Sequence, residues 1–248
     1  MSAGLNKLVF AVIPLAFVLI IAGCSNEDNP TAPEGIKNSD IKVLVLKDGG
    51  TEDSVYSVLS KQGFDVTVGE FFYTFDGKFV DNYNLIIFLN GVNYNNNVTE
   101  DVQNRLKNYV RDGGILLTTE WMTYSIQTSN YYQVLKEILP SMYNGNYDYG
   151  TETYVKEVNH PITEGLPVSF SISNEAWSYS ITNVYSNSLS GNLKVLFSGS
   201  KSGAALTIGE LNKGKTIHWN MAGAYDGNTI WTSEVKKILV NIARYSGM

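Results

Sequence analysis

Residues 41–68 read IKVLVLKDGGTEDSVYSVLSKQGFDVTV: a short apolar run, a polar turn with paired glycines, a helical repeat and a second apolar run. Ile41 to Leu46 has the length and composition of a buried strand. Glu52 to Gln62 brings Val55, Val58 and Leu59 onto one side of a helix, and Asp65 to Val68 returns to strand. The same alternation continues outward. Leu85 to Leu89 predicts a third strand, Thr99 to Arg111 a helix with Thr99 as N-cap, and Ile115 to Thr119 a fourth strand. Gly63, Gly113 and Gly114 stand where those helices must end. Near-continuous apolar strands alternating with helices indicate a parallel sheet covered on both faces.

Beyond this point a helix is expected over Ser129 to Leu139, followed by a region rich in Asn, Tyr, Gly and Ser with strands at Thr151 to Val158 and Ser169 to Ser173. Further strands are expected at Lys194 to Ser198, Ala204 to Leu211 and Lys215 to Asn220. A final helix over Thr232 to Tyr245 places Val235, Ile238, Leu239 and Ile242 on one face. The expected architecture is an α/β/α three-layer sandwich with a mostly parallel central sheet and a β-rich insertion. No repeat of 20 to 50 residues is visible, which argues against a solenoid or propeller.

The 248 residues include one cysteine and two histidines, so a disulfide framework, a cysteine-rich zinc site and a three-histidine metal cage are excluded. Twenty-four acidic against 18 basic residues argues against nucleic acid as a partner. The cysteine sits in a telling place. Lys7 precedes a wholly apolar run from Leu8 to Ala22, then come Gly23 and Cys24, the layout of a secretory signal. An uncleaved anchor remains the alternative, although the run is shorter than the roughly 20 residues a membrane-spanning helix needs. Leu19 to Cys24, LIIAGC, resembles the lipobox of bacterial lipoproteins, which implies acylation of Cys24 and multiple acyl chains.

On this reading residues 1–23 are the signal, 24–40 the lipidated cysteine with a polar tether carrying Pro30 and Pro33, and 41–248 the domain. Ser25 to Asp40 would reach roughly 50 Å when stretched. Losing Lys7 leaves 17 basic against 24 acidic residues, so the lipid rather than charge attraction would hold the protein to the bilayer. The expected location is the cell envelope. Ser25, Glu27 and Asp28 resemble the outer-membrane and surface-export signals of some Gram-negative lipoproteins.

Four segments together carry a second resemblance: Ile41 to Val68, VRDGGILLTTEW at 110–121, HPITEGLP at 160–167, and GKTIHWN with WTSEVKKILVNIARY towards the end. They are similar to the class I glutamine-amidotransferase-like superfamily, with ThuA-like proteins and unassigned amidotransferase-like domains of secreted bacterial proteins as the nearest branches. The resemblance implies a flavodoxin-like fold. It also implies a catalytic cysteine on a sharp elbow after a central strand, where a thiolate is exposed for attack. Here Ile115 to Thr119 runs instead into Glu120, Trp121 and Met122, with no thiol. His218 resembles the superfamily's late histidine, with Asn220 where an acid would lie. A histidine without its nucleophile cannot run acyl transfer, and a hydrogen-bonded histidine at a strand end is the plainer reading. His160 opens a His-Pro turn.

Gly209 to Thr216, GELNKGKT, matches the phosphate-loop pattern letter for letter. That loop must lead into a helix, whereas Thr216 to Asn220 alternates like a strand, so a turn between antiparallel strands is expected and no nucleotide. The Ser-x-x-Lys matches at Ser39, Ser198 and Ser233 lie in unrelated contexts.

In an open parallel sheet ligands bind beyond the carboxyl ends of the strands. The residues placed there are Asp48, Gly49, Gly50, Asn90, Gly91, Glu120, Trp121, His218 and Asn220. Asp48 with Glu120 is the one carboxylate pair near enough to suggest glycoside chemistry. Aromatic clusters at Tyr143 to Tyr154, Trp177 to Tyr185 and Trp219 to Trp231 suit either sugar stacking or the packing of a β-rich insertion. The expected function is a membrane-anchored module binding a ligand, a carbohydrate or an envelope protein, with no cofactor and no metal. The alternatives are a ThuA-like carbohydrate-processing or hydrolytic enzyme using Glu120, His218 and Asp48, and a purely structural envelope component.

Overall fold

The computed structural model describes residues 35–173, 178–185, 190–220 and 231–248; the signal segment, Cys24 and Trp177 lie outside these residues. Eleven described strands and four α-helices follow in order. They are β1 (Lys42–Lys47), α1 (Glu52–Ser60), β2 (Asp65–Phe71), β3 (Leu85–Phe88), α2 (Glu100–Asp112), β4 (Ile115–Thr119), α3 (Met122–Thr128) and β5 (Ser141–Tyr149). Then come β6 (Glu152–Lys156), β7 (Ser169–Ile172), β8 (Ser178–Val184), β9 (Ser190–Gly199), β10 (Gly203–Leu211), β11 (Gly214–Trp219) and α4 (Ser233–Tyr245).

The sheet runs β2-β1-β3-β4-β11-β10-β9-β6-β7, with β8 against β10 and β5 against β8. Its first five strands are parallel. Alternate residues of these strands go to opposite faces. Val43, Val45, Leu85, Ile87, Leu117 and Ile217 pack with Val55 and Leu59 of α1 and with Val235 and Ile238 of α4. Leu44, Leu46, Ile86, Phe88 and Leu116 pack with Val102 and Leu106 of α2 and with Met122 and Ile126 of α3. Strands buried on both faces are apolar through most of their length, which is why β3 (LIIF) reads as an unbroken run and β4 (ILLTT) turns polar only at its carboxyl end.

Local sequence sets the helix ends. Thr99 Oγ1 accepts from Val102 N–H at 3.4 Å to cap α2, and Thr232 Oγ1 accepts from Val235 N–H at 3.3 Å to cap α4. After α2, Gly113 has φ 125° and a Cβ on Gly114 would lie 2.2 Å from the Tyr109 ring, so neither position accepts a side chain.

Three sequence expectations change. The helix over Ser129 to Leu139 does not form: the chain is helical earlier, in α3, and then makes only a 3-10 turn at Leu135–Ile138. Asn130 and Tyr132, at φ 56° and 52°, break the helix between them. The expected tether is structured over its last residues, where Asn38–Asp40 form a 3-10 turn and Asn38 Nδ2 donates to the Gln62 carbonyl at 2.7 Å. The expected β-rich part is present, and β10, β9, β6 and β7 extend the central sheet in antiparallel pairing. Strands β5 and β8, absent from the sequence reading, pair with each other beside it. The phosphate-loop match, in contrast, lies where a turn is expected: β10 and β11 pair from Leu206 with Trp219 to Leu211 with Gly214, leaving Asn212 and Lys213 as a two-residue hairpin turn.

Candidate functional site

Because β1, β3, β4 and β11 are parallel, their carboxyl ends share one edge, and the order reversal between β1 and β3 makes that edge a natural crevice. Asp48 ends β1 there, fully buried. One carboxylate oxygen accepts from Gly50 N–H at 3.0 Å, and the other accepts from Gly91 N–H and from Val92 N–H, the latter at 2.9 Å. Asn93 Nδ2 donates to the Asp48 carbonyl. Burial pushes the Asp48 carboxyl up to about 6 despite these amide bonds, and Glu52 adds to the rise. Gly49, at φ 87°, leaves room beside Asn93: a Cβ there would stand 3.3 Å from Asn93 Nδ2. Asp48, Gly49, Gly50 and Gly91 are therefore brought together as a clamp joining the β1 and β3 loops.

Asn90 is also buried. Its N–H donates to Thr119 Oγ1 at 3.0 Å, its carbonyl accepts from Trp121 N–H at 3.0 Å, and its Nδ2 donates to the Tyr132 hydroxyl at 3.0 Å. It ties the β3 end to the β4 end.

Glu120 occupies a sharp strand-to-helix turn. It follows β4 with φ 43°, unusual for a residue bearing a side chain, and Trp121 then caps α3. Its N–H donates to the Trp219 carbonyl at 3.2 Å, and its carbonyl accepts from Ser180 Oγ at 3.3 Å. The turn after β4 is thus sharp and carries a buried carboxylate.

His218 lies one strand over, fully buried. Its Nδ1 is 2.9 Å from Thr118 Oγ1, while Nε2 has no hydrogen-bond partner among the described residues, Glu120 included. Burial lowers its pKa to about 3, so the ring is neutral at ordinary pH. Asn220 is wholly engaged: Nδ2 donates to the Ser180 and Ser202 carbonyls, Oδ1 accepts from Ser180 Oγ at 2.9 Å, and its carbonyl accepts from the Tyr154 hydroxyl at 3.1 Å. It stitches β11 to β8 and β10 and has no side-chain atom left for a ligand. His160 caps a 3-10 turn through Nδ1, which accepts from Ile162 N–H at 3.2 Å, and burial lowers its pKa to about 4.

Two features complete the edge. Trp121, 9% exposed, packs on Tyr94 with ring centres 5.8 Å apart and on Tyr124 at 5.1 Å, and Tyr124 meets Tyr143 at 5.2 Å. Tyr94 and Tyr124 are half-buried and present ring surface to solvent. Buried polar atoms without a partner among the described residues also gather here: Thr51 Oγ1, Asn90 Oδ1, Trp121 Nε1, Thr123 Oγ1 and His218 Nε2. Such atoms are rare in folded proteins, and their concentration at one edge marks a site. Among the described residues no three His, Cys, Asp or Glu side chains converge as metal ligands.

Sequence reasoning found Trp121 and flagged Tyr143 but missed Tyr94, Tyr124, Thr51 and Thr123. The available signal was the long Asn-rich connection from Leu89 to Thr99, GVNYNNN at its centre, since long connections in compact domains are usually functional.

Five parallel strands in flavodoxin-like order, with helices on both faces and a sharp strand-to-helix turn after β4, define a flavodoxin-like α/β protein. The ThuA family model, described as trehalose utilisation, matches residues 42–233, and the chain belongs to that family. Among solved structures it is similar to a cytoplasmic protein of Salmonella typhimurium, at 15% identity and TM-score 0.62, covering 83% of this chain and 98% of that one. A ThuA-like protein of Bacteroides uniformis is similar at 16% identity and TM-score 0.57, covering 86% and 92%. A β-galactosidase of Bacillus circulans is similar at 16% identity and TM-score 0.55, covering 82% of this chain but 30% of that one. These likenesses show the fold. No curated protein matches the chain.

Proposed function

We propose that this chain is an exported, lipid-anchored member of the ThuA family whose crevice at the carboxyl edge of the sheet binds a neutral carbohydrate. The observation that carries this reading is the pairing of an aromatic cluster, Tyr94, Trp121, Tyr124 and Tyr143, with uncharged buried donors and acceptors on the same loops. Ring faces and neutral hydrogen-bonding groups suit a polyhydroxylated, uncharged ligand. The family's description, trehalose utilisation, supports the same class. A neutral-glycan array probed with the full chain tests it. Binding to at least one α- or β-linked glucose oligomer is expected, weakened about tenfold in Trp121→Phe, which keeps the ring and removes Nε1. No binding across the array overturns the proposal.

Binding is favoured over catalysis because Trp121 packs into the site and His218 is enclosed beside Thr118, without a hydrogen bond to Glu120. One observation supports the enzyme reading: Glu120 stands on the elbow where the superfamily places its nucleophile. Incubation of the full chain with the glycans it binds decides between them, since turnover abolished in Glu120→Gln would establish an enzyme.

The anchor is supported by Cys24 at the end of a signal-like run and by chain direction. The polypeptide enters β1 at Lys42, whereas the crevice begins after Lys47, about 20 Å away at some 3.3 Å per residue. An anchor at Cys24 therefore joins the domain at the edge opposite the crevice. Metabolic labelling with a palmitate analogue should mark the wild type and not Cys24→Ala; equal labelling of both rejects the anchor.

A further inference from the structure

A cavity of about 730 Å³ lies in a groove between α1 and α4. Lys61, Lys236, Lys237 and Arg244 line it, and among its described lining residues Asp53 is the one carboxylate. None of the four cations has an acidic side chain within 4 Å among the described residues, although the chain as a whole is acidic. Unpaired positive charge concentrated against a net negative background is a recognition feature for an anion.

The groove is more than a charged patch. Ser57 and Ser233 line it together with the cations, as do Val58 and Val240. Trp231 also borders it, but is 7% exposed and packed in the core with Val235 and Val240; its Nε1 has no partner among the described residues. The groove follows α1, whose nine residues span about 13 Å. An extended chain of several units fits that length better than a single small ion.

We propose that this groove binds a carboxylate-bearing oligosaccharide, a short chain of uronic-acid residues. Carboxylates would pair with the lysines and Arg244, and hydroxyls with Ser57 and Ser233. An acidic peptide would satisfy the cations but would leave the serines without hydroxyl partners. The groove opens at the amino ends of α1 and α4, the edge that also holds Asp48 and Thr51, so a chain seated in it would run towards the crevice. The groove stands independently of the crevice reading.

The test titrates the full chain in detergent with oligogalacturonate, with polyglutamate of matched charge, and with a neutral glucose oligomer of matched length. Oligogalacturonate should bind at 50 mM salt, at least tenfold more tightly than polyglutamate, and should weaken at least tenfold at 500 mM salt. Lys236→Glu with Arg244→Glu, both exposed positions, should lower its affinity more than tenfold while leaving neutral-sugar binding unchanged. Ser57→Ala with Ser233→Ala should lower it several-fold. Failure of oligogalacturonate to bind, or polyglutamate binding equally well, overturns the proposal whatever the variants do. Loss of neutral-sugar binding alone bears on the crevice and not on the groove.

Discussion

The two halves of the sheet solve the same packing problem differently. In the parallel half, β3 and β4 are buried at every position between two helical layers. In the antiparallel half, β6 and β7 alternate, with Tyr154 fully buried while Val155 is 40% exposed. In a strand covered on both faces a polar side chain needs a partner within the fold, as Thr118 and His218 find in each other, and most of the polar chemistry of the parallel half collects at the ends of β1, β3, β4 and β11, which carry Asp48, Asn90, Glu120 and Asn220. The antiparallel half spreads its polar groups along the strands. A site is therefore concentrated by the first arrangement and diluted by the second.

This contrast can be broken by substitution. Leu117→Ala, in the centre of β4, should cost about 3–5 kcal/mol, whereas Val155→Ala should cost under about 1 kcal/mol. Urea unfolding of the two variants side by side measures the difference, and equal losses would show that the halves are equally packed. The next effect is in pH. The folded pKa of His218, about 3, lies below the ordinary 6.5, so the stability its neutral ring contributes is present above pH 6.5 and is lost as pH falls towards 3. His218→Gln should shrink the fall in unfolding free energy between pH 7 and pH 4 by about 3 kcal/mol. An unchanged profile would mean that the ring is reachable by solvent. Asp48 works in the opposite sense: its folded pKa, about 6, is above the ordinary value, so its contribution is largest below pH 4 and is lost as pH rises through 6. Asp48→Ala removes the acceptor for three amides and should cost about 1–3 kcal/mol at pH 7, read from the same unfolding curves.

The parallel half was legible because its residues declare themselves. Ile41 to Val68, Leu85 to Leu89 and Thr99 to Thr119 place four strands and two helices within a few positions of where they lie. The antiparallel half was not, since β5 and β8 are rich in Ser, Asn and Tyr and bury only part of each strand. The 129–139 segment misled because its apolar residues keep a helical spacing while Asn130 and Tyr132 turn the backbone left-handed, a choice fixed by tertiary contacts of the Tyr132 hydroxyl. At the candidate site, crevice logic put Asp48, Asn90, Glu120 and Trp121 beyond the carboxyl ends of the strands, and they lie there. It could not say that Asp48 and Asn220 would be consumed as internal ties, because the groups that donate to them, the Gly91 N–H and the Ser180 hydroxyl, lie 43 and 40 residues away.

What stands or falls with the crevice is sugar binding on its aromatic wall. Isothermal titration of the full chain with trehalose, comparing wild type with Tyr124→Ala, addresses it directly because Tyr124 is half-buried and its loss spares the core. Saturable binding in the wild type, weakened at least tenfold in a variant with an unchanged unfolding midpoint, is the predicted result. Absence of binding to the wild type, or undiminished binding in Tyr124→Ala, would contradict it.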